Sequence, residues 1–193
     1  MRSAGSPWAW VPSTYSLGFR FSFALRRSPE DLLAAFGIDP DDAEPLTREA
    51  AAEEFGVACR VGAVDGWGFA VEEFGGDHTR ALRKLSAGGA AASVCRVESG
   101  TSTFEYYRDG ERTLWFEPLF PDRRHGPDAD RFLAAMSRVG LDPSSRPNLA
   151  LIAPAVAALD LVTELFGVRL ARETVAGELL TAAVEPSLSW LEG

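Results

Sequence analysis

Two histidines, His78 and His125, are all the imidazole chemistry that the 193 residues contain. His125 lies in Asp122-Arg123-Arg124-His125-Gly126-Pro127-Asp128, with a carboxylate on either side. That pattern suits a general base oriented by Asp122 or Asp128, activating Ser86 or Cys95 as nucleophile. Spacing argues the other way, because no Gly-x-Ser-x-Gly turn exposes a serine and nothing pairs a histidine with a cysteine or serine. A solvated loop histidine is the simpler account, so His125 stands as the sole catalytic candidate, for a small hydrolase working with nearby carboxylates. His78, in Gly75-Gly76-Asp77-His78, reads as a helix start capped by Asp77.

Metal and cofactor chemistry find less to work with. Cys59 and Cys95 are far apart in sequence and lack the close Cys or His spacing that preorganises a zinc site. Asp39, Asp41, Asp42 and Glu44 do not follow the order of a calcium loop, and adjacent Glu72 and Glu73 point to opposite faces of a strand. Ser86-Ala87-Gly88-Gly89 offers backbone amides to an anion. It has neither the Gly-Lys-Ser/Thr ending of a phosphate loop nor a Gly-x-Gly-x-x-Gly, and a strand rather than a helix follows it. No metal, nucleotide or lipid is implied.

Aromatic side chains lean toward binding. Trp67, Phe69, Phe104, Tyr106, Tyr107, Trp115 and Phe116 all fall on hairpin strands, where residues two apart share a face. With helices on one face only, some of them would stay exposed, and Trp67, Tyr106, Tyr107 and Trp115 are the candidate interface anchors. The competing account packs all of them into the core.

The elements that must position these residues follow from periodicity. Tyr15 to Leu25 alternates with Tyr15, Leu17, Phe19, Phe21, Phe23 and Leu25 on one face, the pattern of a half-buried strand. Ser28 with Pro29 opens a short helix that Gly37 ends, and Thr47 opens another through Phe55. Val57 to Val64 and Trp67 to Phe74 flank Asp65-Gly66, a pair that supplies the positive φ angles of a type I′ hairpin. Asp77 to Leu85 reads as a helix. Ala90 to Glu98, Thr103 to Arg108 and Glu111 to Glu117 form a meander turning at Ser99-Gly100 and Asp109-Gly110. Helical spacing then takes over in Asp128 to Val139, in Asn148 to Phe166 with an interruption near Pro154, and in Arg172 to Val184.

Strands grouped first and helices after predict an α+β fold: an antiparallel sheet of about five or six strands, helices packed on one face, and a C-terminal helical segment. Residues 1–14, with Pro7, Trp8, Trp10 and Pro12, read as an arm laid on the surface. Residues 15–193 form a single domain, in which 15–120 are mostly sheet with two early helices and 128–185 are helical.

The formal charge of -9 and isoelectric point near 4.8 set this chain against nucleic acid, since phosphate binding draws on Lys and Arg. The short clusters Arg80, Arg83, Lys84 and Arg123, Arg124 lack interleaved aromatics. The longest uncharged apolar stretch, Leu149 to Leu159, is about half of the ~20 residues that span a bilayer, and the N-terminal residues lack a signal-peptide core, so no membrane and a cytoplasmic location are expected.

The ordered set Gly66-Trp67-Gly68-Phe69-Ala70-Val71-Glu72, Leu85-Ser86-Ala87-Gly88-Gly89, Asp109-Gly110, Phe116-Glu117-Pro118, Gly126-Pro127-Asp128 and Phe166-Gly167-Val168 resembles an uncharacterised family of small actinobacterial proteins, a domain of unknown function. The resemblance spans Tyr15 to Val184 and implies no activity, ligand or catalytic residue. From the residues themselves the leading expectation is a non-catalytic cytosolic protein that binds a protein partner with a basic surface, in an immunity or toxin-neutralising role. A small hydrolase using His125 is one alternative. A small-ligand sensor with a pocket between the sheet and the C-terminal helices is another.

Overall fold

The computed structural model describes residues 5–73, 78–144 and 153–184. Its centre is one antiparallel sheet of eight strands: β1 Phe19–Leu25, β2 Glu44–Leu46, β3 Ala58–Val64, β4 Trp67–Glu72, β5 Ala90–Arg96, β6 Ser102–Arg108, β7 Glu111–Phe116 and β8 Leu179–Ala183. Across the sheet they run β2-β8-β3-β4-β1-β5-β6-β7. The helices among the described residues are α1 Val11–Thr14, α2 Pro29–Phe36, α3 Arg48–Phe55, α4 Thr79–Leu85, α5 Leu133–Arg138, α6 Pro154–Phe166 and α7 Arg172–Ala176.

Local chemistry accounts for most of these boundaries. The Ser28 hydroxyl accepts from the Asp31 amide while the Asp31 carboxylate accepts from the Ser28 amide, a reciprocal capping box that starts α2. Gly37 ends it in the left-handed region at φ 84°. Asp65 and Gly66, at φ 49° and 80°, make the β3–β4 turn, and Asp109 and Gly110, at 51° and 84°, make the β6–β7 turn.

Both faces of the sheet are covered, which corrects the expectation of helices on one face. On β1, Phe19, Phe21 and Phe23 enter a large core with Trp67, Phe69, Phe104, Met136 and the buried side of α6. The opposite face carries smaller side chains. There Ala24, Ala70, Ala91, Val61 and Tyr107 pack under Leu32 and Leu33 of α2 and Leu82 and Leu85 of α4. Gly68 lies at the closest approach: a Cβ there would collide with the Arg27 carbonyl oxygen and with Leu32.

The N-terminal segment is part of the first core and is not laid over it. Trp8 is 0% exposed, its ring edge-on to Phe21 and Phe23, and its indole N–H donates to Thr163 Oγ1 at 2.8 Å. Satisfying that donor on α6 is what allows so large a residue to be buried. Pro12 is tolerated because α1 is a single turn with the proline in its first positions.

The count of five or six strands is also corrected. β2 has three residues and carries Pro45, which suits only an edge. β8 lies in Arg172 to Val184, where sequence favoured a helix throughout; α7 stops at Ala176 and the chain extends beside β3. The reason is tertiary. Arg60 on β3, 4% exposed, donates through its guanidinium to the carbonyls of Val175 and Gly177 before β8 and of Leu46 on β2. Helix 128–139 contracts to α5, and α6 begins at Pro154. The Asn148 to Ile152 part of that helix, the Phe74 end of β4 and the Asp77 cap lie outside the described residues.

The far edge, β7, is closed by its own chain: Trp115 and His125 exchange two backbone hydrogen bonds of 2.8 Å. At the other edge the Arg60 hydrogen bonds take the place of side-chain packing. Replacing Arg60 by Leu should destabilise the protein by about 3 kcal/mol, since it strands buried carbonyls. Denaturant melts measure this, and hydrogen exchange should show the β8 amides opening first.

Candidate functional site

Because α2 lies over β3 and β4 and α4 over β1 and β5, the second face of the sheet is buried even where its side chains are polar. Strand register puts Cys59, Glu72, Arg20 and Cys95 in one row across β3, β4, β1 and β5, with Ser22, Ser93 and Glu105 in the next. Glu72 is 3% exposed and Arg20 8%. Buried ionisable groups must be hydrogen-bonded or they carry a large desolvation penalty.

Part of the row is satisfied internally. Arg20 donates to Ser93 Oγ at 3.1 Å, and Glu105 accepts from Arg112 at 3.1 Å and from the Tyr107 hydroxyl at 3.4 Å. Arg20 Nε and Ser22 Oγ have no hydrogen-bond partner among the described residues, and Glu72 meets a histidine. Its Oε2 lies 2.9 Å from Nε2 of His78, the residue preceding α4. Both atoms are enclosed. The contact is therefore an ion contact only when the imidazole is protonated.

Glu72 and His78 are among the residues that line a cleft of about 600 Å³. Phe36 and Ile38 at the end of α2, Asp39 and Asp42 in the turn that follows, and Phe55 at the end of α3 line it, with Ala182 to Val184 of the β8 end opposite. The Phe36 ring meets the His78 ring edge-on at 4.8 Å, which fixes the imidazole plane. A second hollow, between Tyr15, Arg48 and Glu73, holds only about 20 Å³, less than a ligand needs. There Arg48 bonds Glu73 at 2.6 Å and lies 4.9 Å from the Tyr15 ring centre, and burial pushes the Tyr15 phenol up to about 12 against the pull of Arg48 and Arg60.

The row contains thiols but no ready nucleophile. Burial, with the Glu72 charge adding to it, drives the Cys59 thiol well above its ordinary value, and burial raises Cys95 despite the opposing Arg20 charge. Among the described residues, no three His, Cys, Asp or Glu side chains gather as metal ligands.

The candidates singled out from sequence fall elsewhere. His125 is exposed and stacks on Trp115 with ring centres 5.7 Å apart; among the described residues its imidazole has no hydrogen bond or ion pair. Asp128, expected to orient it, pairs with Arg131 instead. Ser86 is buried and committed to backbone, donating to the Arg83 carbonyl and accepting from the Gly110 amide. Cys95 is separated from His125 by β6 and β7. Among the described residues, no nucleophile, base and carboxylate come together around His125.

Of the four aromatic candidates, Trp67 packs on Phe166 at 4.7 Å, Tyr106 packs between Phe132 and Phe166, and Tyr107 is enclosed in the second core. Burial removes all three as surface anchors. Trp115 alone is half-exposed. Glu72, His78 and Arg20 were not singled out as site residues. One signal pointed to them: the second face of β1, β4 and β5 reads Ser22, Ala24, Gly68, Ala70, Ala91 and Ser93, small residues that invite helices to cover it and so to bury whatever charge shares that face.

The model of a family of unknown function, DUF6461, matches residues 7–187. No curated protein and no solved structure matches the chain. No described helix is long and apolar enough to cross a membrane. The thiol chemistry is directly checkable. Neither cysteine should react with a thiol-specific reagent in the folded protein, and both should react fully once denaturant unfolds it.

Proposed function

Because the chain belongs to the DUF6461 family, whose function is unknown, we propose its role from the cleft itself: a non-catalytic binding protein that takes a small ligand against Glu72 and His78. The observation that carries this reading is a cleft of about 600 Å³ whose lining, among the described residues, includes Glu72 and His78, in contact with each other at 2.9 Å. The sensor alternative is thereby moved to the side of the sheet covered by α2, away from the C-terminal helices. A cytoplasmic location and an actinobacterial source, the latter resting on the resemblance of the motifs from Gly66 to Val168, belong to the same proposal.

Ala183 is exposed at the cleft wall, so Ala183→Trp would fill the cleft without touching either core. Native mass spectrometry after incubation with a small-molecule cell extract should show an added mass on the wild-type chain and none on the variant. An added mass that persists on Ala183→Trp, or none on either protein, would overturn the reading.

A protein partner with a basic surface is a second reading. Trp115 is half-exposed beside His125 and Arg112 on the closed edge of the sheet, and the charge of -9 would steer such a partner. Here Trp115→Ala should weaken a captured complex by about tenfold or more. An unchanged Kd would end this reading.

A further inference from the structure

We propose that a second cleft, between the N-terminal segment and α6, binds a short peptide as its zwitterion, with Asp160 taking the ammonium end and Arg169 the carboxylate end. This cleft holds about 490 Å³ and shares no lining residue with the one beside Glu72. Its lining carries four charged side chains, Arg138, Asp160, Glu164 and Arg169. Two of them answer each other, since Arg138 Nε donates to Glu164 at 2.7 Å. That leaves one carboxylate and one guanidinium.

Both of these offer open atoms to the cleft. Asp160 is half-buried on α6; its Oδ1 accepts from the Ser6 hydroxyl at 2.7 Å, while its Oδ2 is not enclosed and has no partner among the described residues. Burial raises the Asp160 carboxyl above its ordinary value, against the pull of Ser6, and no cation opposes that among the described residues. An ammonium group supplies the missing charge and up to three N–H donors. Arg169 is exposed, and its guanidinium makes no hydrogen bond or ion pair among the described residues. A carboxylate matches its planar fork.

The lining as a whole is electrically balanced, so a lone cation or a lone anion would satisfy one side chain and leave the other. Separation sets the length. Asp160 lies six residues before the end of α6 at Phe166, about 9 Å along the axis, and Arg169 follows that end. The two charges of a free amino acid sit within about 3 Å of each other, whereas those of an extended dipeptide are about 6–7 Å apart. Pro7 and Val139 in the lining give the peptide body an apolar surface.

Isothermal titration calorimetry of the full chain with four probes tests this: alanyl-alanine, its N-acetyl form, its C-terminal amide and free alanine. The dipeptide should bind, and each of the other three should bind about tenfold more weakly or worse. Asp160→Asn, which keeps an acceptor for Ser6, should weaken the dipeptide by about tenfold and leave the N-acetyl form unchanged. Arg169→Glu, at an exposed position, should weaken the dipeptide by about tenfold and leave the amide no weaker. Ala183→Trp, in the other cleft, should change nothing. No heat from the dipeptide, equal binding of a blocked form, or dipeptide binding that survives both charge variants would overturn the proposal, as would its loss in Ala183→Trp. Repeating the extract experiment on the Arg169→Glu background reads the Glu72 cleft separately.

Discussion

The constraint from which the rest of this structure follows is that β1 lies inside an eight-stranded sheet buried on both faces. A strand in that position can send no side chain to water, so its alternation separates large from small and not apolar from polar. Phe19, Phe21 and Phe23 fill one layer, while Arg20, Ser22 and Ala24 enter the other. The second layer must be thin for α2 and α4 to reach it. Small residues on β1, β4 and β5 make it thin, and Gly68 marks where no Cβ fits at all.

Charge buried on either face of the sheet has to be disposed of, and the protein does so in two ways. Arg60 shows the structural solution: its guanidinium is spread over three backbone carbonyls that hold β2 and the start of β8 to β3. Each bond serves two buried groups at once, and the arginine substitutes for a packed side chain at a sheet edge. Glu72 shows the other. It shares a row with Arg20 and meets the His78 imidazole at 2.9 Å, so its charge is answered by a neighbouring side chain rather than by backbone.

How much of this could be read from the sequence depended on whether local or tertiary forces decide. The capping box at Ser28, the turns at Asp65-Gly66 and Asp109-Gly110 and the β1 alternation are local, and each was legible. β8 was not, because Leu179-Leu180-Thr181-Ala182-Ala183 has no alternation and contains good helix formers; pairing with β3 overrides that propensity. Trp8 was misplaced for a similar reason, since its hydrogen bond to Thr163 spans almost the whole chain. The cleft was invisible for a further reason. His78 and Glu72 are six residues apart, but their meeting depends on where α4 begins relative to the end of β4, and no spacing rule encodes that distance.

The acidic character of the chain acts on two length scales that should be kept apart. Most of the -9 is spread over solvated side chains, where physiological salt screens interactions beyond about 8 Å. Such charge attracts cations generally and distinguishes little among them. Asp39 and Asp42 at the mouth of the cleft belong to this population; Glu72 does not. Enclosed beside His78, its carboxylate is shielded from mobile ions, so the neighbouring imidazole and not the bulk salt sets its surroundings.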